Sequence, residues 1–140
     1  MLRYDRARFF AFGVLPALNC LGLLIYGLGL ATHGTGGAGR SLPVLIVLVA
    51  VNLLFASFAA VKRGRDLGWV AWMTVLGFWV STSLGPVLII MLAYLVFAKT
   101  KPAADALGPP ATPATLITWY WCFMNLVWPW IALAVLAEVL

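Results

Sequence analysis

Charge is scarce in this chain: 9% of its 140 residues are Asp, Glu, Lys or Arg, where a soluble domain carries roughly 25%. The acids number four: Asp5, Asp66, Asp105 and Glu138. No two are close in sequence, so paired-carboxylate acid–base chemistry has no candidate. The one histidine, His33, stands in a Gly-rich stretch, and no Ser-His-Asp or Cys-His set assembles around it. Cys20 and Cys122 fall inside apolar segments and form no Cys-x-x-Cys. Zinc, iron–sulfur and bis-histidine haem sites are therefore not expected, and neither is any other cofactor. The cysteines read as small buried hydrophobes. An enzyme is not expected from this chain alone.

What fills the sequence instead is hydrocarbon: 64% of residues are hydrophobic and 14% aromatic. A chain of this length makes one domain, and folding on itself could not hide so much apolar surface from water. It needs lipid as solvent. The nine Lys and Arg give a net charge of +5, but all except Arg40 stand in short clusters beside apolar runs: Arg3, Arg6 and Arg8; Lys62, Arg63 and Arg65; Lys99 and Lys101. This is the positive-inside pattern, in which cations orient helices and meet anionic headgroups. No separate basic face exists to hold a duplex, so membrane lipids rather than nucleic acid are the expected contact. The first apolar run exceeds a signal-peptide core of about 7–15 residues, and no small-x-small cleavage site follows it directly. It reads as a retained helix.

The pattern predicts an all-α, polytopic bundle of about four spans: 9–30, 43–61, 69–97 and 114–140. Pro16 should bend the first, and the Gly-rich Ala31–Leu42 should form an exposed loop. Pro43 opens the second helix at its tolerated first turn; the charges from Lys62 close it. The run Trp69–Phe97 is too long for one ordinary crossing, and Ser81-Thr82-Ser83-Leu84-Gly85-Pro86 interrupts it with helix breakers. Either one kinked helix crosses, or Trp69–Val80 and Pro86–Phe97 form a hairpin of short arms. The hairpin returns Lys99 and Lys101 to the side of Arg3, Arg6, Arg8, Lys62, Arg63 and Arg65, leaving only Arg40 opposite, and the positive-inside rule favours it. Either way the N-terminus faces the cytoplasm. A Pro/Ala-rich linker to Pro113 should be extended. In the last span Trp119 and Trp121 mark an interfacial level. Trp128 and Trp130 lie about 10–16 Å further along the helix rise, too deep for that belt, and Pro129 predicts a kink.

Few polar residues remain to carry a function. Asn19, Asn52 and Asn125 sit mid-span, where an asparagine between helices stabilises association by about 1 kcal/mol. Asn52, Ala56 and Ala60 recur every fourth residue, a stripe that lets another backbone approach closely; Gly27 and Ala31 make a shorter one. The segment from Lys62 to Trp72 is the most informative. It reads as an interfacial turn in which Arg and Lys meet headgroups, Asp66 caps the next helix, and Trp69 and Trp72 anchor. A sharper reading makes Arg63 and Asp66 a fixed pair that docks lipid or a partner.

The same segment resembles the signature of the domain-of-unknown-function 805 family of small bacterial inner-membrane proteins. Arg63, Asp66 and Gly68 match the family's Arg-x-x-His-Asp-x-Gly turn, with Arg65 standing where histidine is usual, and Trp72 matches a tryptophan after it. Upstream, Arg6-Ala7-Arg8-Phe9 is similar to the family's basic entry to its first helix. Downstream, Asp105-Ala-Leu-Gly108-Pro109 is similar to its tail. The likeness spans about residues 3–110, so the helix of 114–140 is an addition. It implies a bacterial cytoplasmic membrane and no known activity, cofactor or substrate.

The expected function is a non-enzymatic membrane protein acting through helix–helix and lipid contacts, an accessory subunit, assembly factor or immunity-type protein. Its partner would be another membrane protein or further copies of itself. The alternatives are a small transporter or channel-forming oligomer, with Asn52, Ser81, Thr82 and Ser83 lining a path, and a lipid-modifying enzyme using Asp66 and Arg63.

Overall fold

The computed structural model describes residues 4–33, 38–99 and 115–139, and these are helical almost throughout. Asp5 opens the first helix by accepting from the amide of Arg8 at 2.8 Å, an N-cap that satisfies one orphan donor. Helix α1 (Arg6–Phe9), a π-helical turn (Phe10–Val14) and α2 (Leu15–His33) then follow without a break. The wide turn precedes Pro16, which has no amide to give to the turn before it. A widened turn therefore stands just before the residue at which the sequence predicts a bend. The helix also begins and ends beyond the predicted 9–30.

Helix α3 (Ala38–Asp66) overruns its predicted 43–61 at both ends. Pro43 lies inside it rather than in its first turn, because Ala38 to Leu42 already wind helically. The loop expected over Ala31–Leu42 shrinks accordingly, and residues 34–37 lie outside the described residues. At the other end Lys62 to Asp66 are helix, not turn. The stop comes at Gly68, whose φ of 78° is the left-handed conformation that glycine tolerates. There Gly68 N donates to Arg65 O at 3.0 Å and Trp69 N to Gly64 O at 2.8 Å.

The third run is broken. Helix α4 (Ala71–Ser83) and α5 (Pro86–Phe97) meet at Leu84-Gly85, where Gly85 has φ 45° and ψ −80°. Pro86 then starts α5, its missing amide costing nothing in a first turn. The C-terminus of α5 returns to the end of α3 from which α4 departs, so the two arms form a hairpin. Helix α6 (Leu116–Val139) runs through Pro129 as one element. The predicted linker, with Lys101 and Asp105, lies outside the described residues.

Among the described residues, three helices are long and apolar enough to cross a membrane: Arg6–Thr32, Ser41–Asp66 and Leu116–Leu136. With the hairpin they make a helical membrane bundle. Two apolar cores stack along it. One joins Phe9, Val14 and Ala17 to Ala56, Ala59 and Ala60 of α3 and to Phe78, Leu88, Leu92 and Leu95 of the hairpin. The other joins Leu23 to Val44, Leu45 and Leu48 and to Leu133 of α6. Helix α6 therefore runs parallel to α1–α2, its later residues meeting the later residues of α2.

Candidate functional site

Among the described residues, Arg63 is the largest fully buried side chain, 1% exposed. Three parts of the chain converge on its guanidinium. Nε donates to Leu95 O at 2.7 Å, Nη2 to Ala98 O at 2.7 Å, and Nη1 to Asp66 Oδ2 and, at 3.4 Å, to Tyr4 O. Asp66 sits one helical turn further on, itself 3% exposed. Leu95 belongs to the last turn of α5 and Ala98 is its C-cap; the carbonyls at such an end lack helical partners and carry the negative end of the helix dipole. A planar fork with five N–H donors suits this array; a lysine could not reach it all. Arg6 adds a second clamp, Nη2 donating to Phe97 O at 3.2 Å.

The N-terminal segment closes over this hub. Tyr4 N donates to Lys62 O at 3.4 Å, Lys62 Nζ lies 4.7 Å from the Tyr4 ring centroid, and that ring meets Phe12 at 5.8 Å. Close approach of α3 and α4 is permitted by Gly64, where a Cβ would overlap Thr74 Oγ1. Trp69 stacks on Tyr94 at 5.5 Å, while Trp72 is 62% exposed, free to face headgroups or lipid. Asp66 does not cap the next helix as expected. It folds back one turn onto Arg63, and the N-cap of α4 is Val70, with no side-chain bond.

The chemistry available here is that of a charge-assisted clasp. Among the described residues, no three His, Cys, Asp or Glu side chains come together that could hold a metal.

A family model described as "Protein of unknown function (DUF805)" matches residues 2–109. The chain belongs to the DUF805 family. Among curated proteins and among solved structures, none matches. The three residues that match the family's turn, Arg63, Asp66 and Gly68, are in this DUF805 chain the hub arginine, its counter-ion and the glycine at which α3 stops. Helix α6 lies outside the matched stretch.

That added helix is fastened by a second polar joint. Asn19 Nδ2 donates to Asn125 O, and Asn125 Nδ2 to Ala11 O at 3.1 Å. Trp128 Nε1 donates to Asn125 Oδ1 and Trp130 Nε1 to Asn19 Oδ1, each at 3.2 Å. This accounts for two indoles too deep for an interfacial belt: their N–H groups find asparagine oxygens instead of headgroups. Beside the joint Phe12, Phe55, Trp121, Met124, Asn125 and Trp128 line a cavity of about 260 Å³.

The small-residue stripe is buried inside the chain. Ala56 and Ala60 are 0% exposed, and the neighbouring Ala59 lies against Gly13 of the π-turn. Asn52 donates Nδ2 to Leu48 O of its own helix at 2.8 Å. Its Oδ1 is the one buried side-chain polar atom without a hydrogen bond among the described residues. Ser81, Thr82 and Ser83 also bond back, to Gly77, Phe78 and Trp79 carbonyls at 2.6, 2.9 and 3.1 Å. Gly27 faces Leu45 of α3.

Sequence reasoning singled out Arg63 and Asp66 but not the groups they meet. Tyr4, Leu95 and Ala98 bring backbone carbonyls, which leave no mark in a side-chain pattern. Asn19 and Asn125 were marked as packing residues without their pairing.

Proposed function

We propose that this protein is a non-enzymatic component of a bacterial cytoplasmic membrane, working through helix–helix and lipid contacts as an accessory subunit, assembly factor or immunity-type protein. The observation that carries the reading is the commitment of Arg63. An ionisable residue buried in a membrane protein is a functional candidate by default, yet among the described residues the hydrogen bonds of this one go to the protein's own backbone and to Asp66. A group so held positions helices and has no proton or charge to offer a substrate.

The orientation follows the cations. Arg6, Lys62, Arg65 and Lys99 share the end of the bundle at which α5 returns, and Arg40 begins α3 at the other. By the positive-inside rule that end, with the N-terminus, is cytoplasmic, and α6 then carries the C-terminus out. Maleimide labelling of a cysteine placed at Lys99 or Lys101 tests this: access from the cytoplasmic side only is expected. For the function, solubilisation from native membranes in mild detergent should bring down an oligomer or a complex; persistent isolation as a bare monomer would overturn the reading.

The transporter alternative draws support from Asn52 Oδ1, an unpaired acceptor deep in the bundle. The hydroxyls of Ser81, Thr82 and Ser83, turned onto their own helix, weigh against it. Flux through reconstituted vesicles separates the two readings.

A further inference from the structure

The hairpin has one finished end and one unfinished end. At its base, Arg63 and Arg6 supply donors to the Leu95, Phe97 and Ala98 carbonyls. At its tip, among the described residues, no helix outside the hairpin gives a hydrogen bond to residues 82–87. Leu84 N reaches back to Ser81 O at 3.2 Å, and Val87 N and Leu88 N reach only Leu84 O and Gly85 O, at 3.4 and 3.0 Å. Ser83 and Pro86 are exposed, Leu84 is 55% exposed, and a Cβ built on Gly85 would meet nothing within 4 Å. The tip stands open.

Its depth makes that costly. Helix α4 has 13 residues and α5 has 12, so at 1.5 Å per residue the arms rise about 18–20 Å from the arginine end. The apolar core of a bilayer is about 30 Å thick. An arm of this length, based at headgroup level, ends its helix inside the hydrocarbon. Trp79 Nε1 bonds Ser57 Oγ of α3 at 3.0 Å, which fixes α4 alongside a spanning helix rather than flat on the surface. Broken backbone at such depth is tolerated only where protein or a water-filled cavity covers it, because each unsatisfied backbone group costs several kcal/mol in lipid.

We infer that the tip, Ser83 to Val87, is a contact site for the same tip of a second copy of this chain. The charges of the broken helix select that occupant. The tip sets the carbonyl end of α4, partly negative, beside the amide end of α5, partly positive. A two-fold axis along the membrane normal places the carbonyl end of each copy against the amide end of the other. It also puts both tips at one depth, because the two chains share one orientation. Val80, Leu84, Val87 and Ile90, all exposed, supply an apolar rim. Two half-depth hairpins thereby cover each other where neither is covered by its own chain.

The inference rests on the contact-based function proposed above, and one experiment tells the two apart. Two differently tagged full-length chains, both with Cys20→Ala and Cys122→Ser, are coexpressed, one with Ser83→Cys and the other with Val87→Cys, because the proposed packing sets α4's end in one copy against α5's start in the other; the control chains carry Phe123→Cys or Ile131→Cys on the exposed face of α6. Oxidation in native membranes should give a disulfide-linked dimer from the tip pair and at most a tenth as much from α6. Equal crosslinking at both places, or none from the tip pair, overturns the tip contact. So does a crosslink to a different protein, and so does ready labelling of the tip by a membrane-impermeant maleimide, which would mean a water-filled cavity. An oligomer that survives detergent without tip crosslinks removes this inference alone; a bare monomer removes both.

Discussion

The two polar joints of this bundle solve different problems. At the arginine end a full charge is buried to hold the returning hairpin and the N-terminal segment onto α3. Midway along, neutral amides and indoles fasten α6 to α2 with no charge at all. The first joint lies wholly within the stretch shared with the DUF805 family, and the second reaches a helix outside it. The difference in chemistry matches the difference in load. Three carbonyls at the C-terminal end of α5, those of Leu95, Phe97 and the C-cap Ala98, take donors from outside their helix. A continuous spanning helix already satisfies its own backbone and needs only registration.

Breaking the arginine joint should cost most. Arg63→Met removes the charged partner of buried Asp66 and the donor to the Leu95 and Ala98 carbonyls, a loss of about 3–5 kcal/mol; Arg63→Lys should recover only part of it. Thermal unfolding in detergent measures both, and protease cleavage within 70–99 reports release of the hairpin. Next comes Gly64→Val, which drives a side chain into Thr74 and should cost about 1–3 kcal/mol by prising α4 from α3.

The amide joint should yield less. Asn125→Ala is expected to cost about 1 kcal/mol, the range of hydrogen bonds between membrane helices. Asn19→Ala and the double variant complete a cycle whose sum falls short of additivity if the two amides act together. Truncation after residue 99 should leave the hairpin protected, since its contacts lie at the other joint. The smallest effect should carry the opposite sign. Asn52→Leu removes the unpaired Oδ1 and should stabilise by up to about 1 kcal/mol; destabilisation would mean that the acceptor has a partner in the membrane.

Much of the architecture was legible because lipid leaves long apolar runs with breakers between them. Gly85-Pro86 announced the hairpin break, and the positive-inside rule chose the hairpin over a kinked crossing. The stripe of Asn52, Ala56 and Ala60 announced a face of close approach but not its neighbours: Ala56 and Ala60 are buried in one core with Phe9, Val14 and Ala17. The charged segment after Val61 misled. Lys, Arg and Asp suit a turn as well as a helix end, and the helical outcome depends on Arg63 finding carbonyls 32 and 35 residues away. No local pattern encodes that reach. Asp66 looked like a cap for α4 because its partner Arg63, three residues back on α3, reads equally well as a headgroup contact. The amide joint was hidden by distance too: its partners lie 106, 111 and 114 residues apart.

The π-turn at Phe10–Val14 sets the angular phase of everything after it. One surplus residue in a turn rotates the following helix by about 100° relative to a regular α-helix. Asn19 points at α6 only with that offset in place. Deleting a single residue from the turn would dial Asn19 round to another neighbour while leaving every side chain of the joint intact, so the partnership between α2 and α6 is written as a rotation as much as a pair of amides.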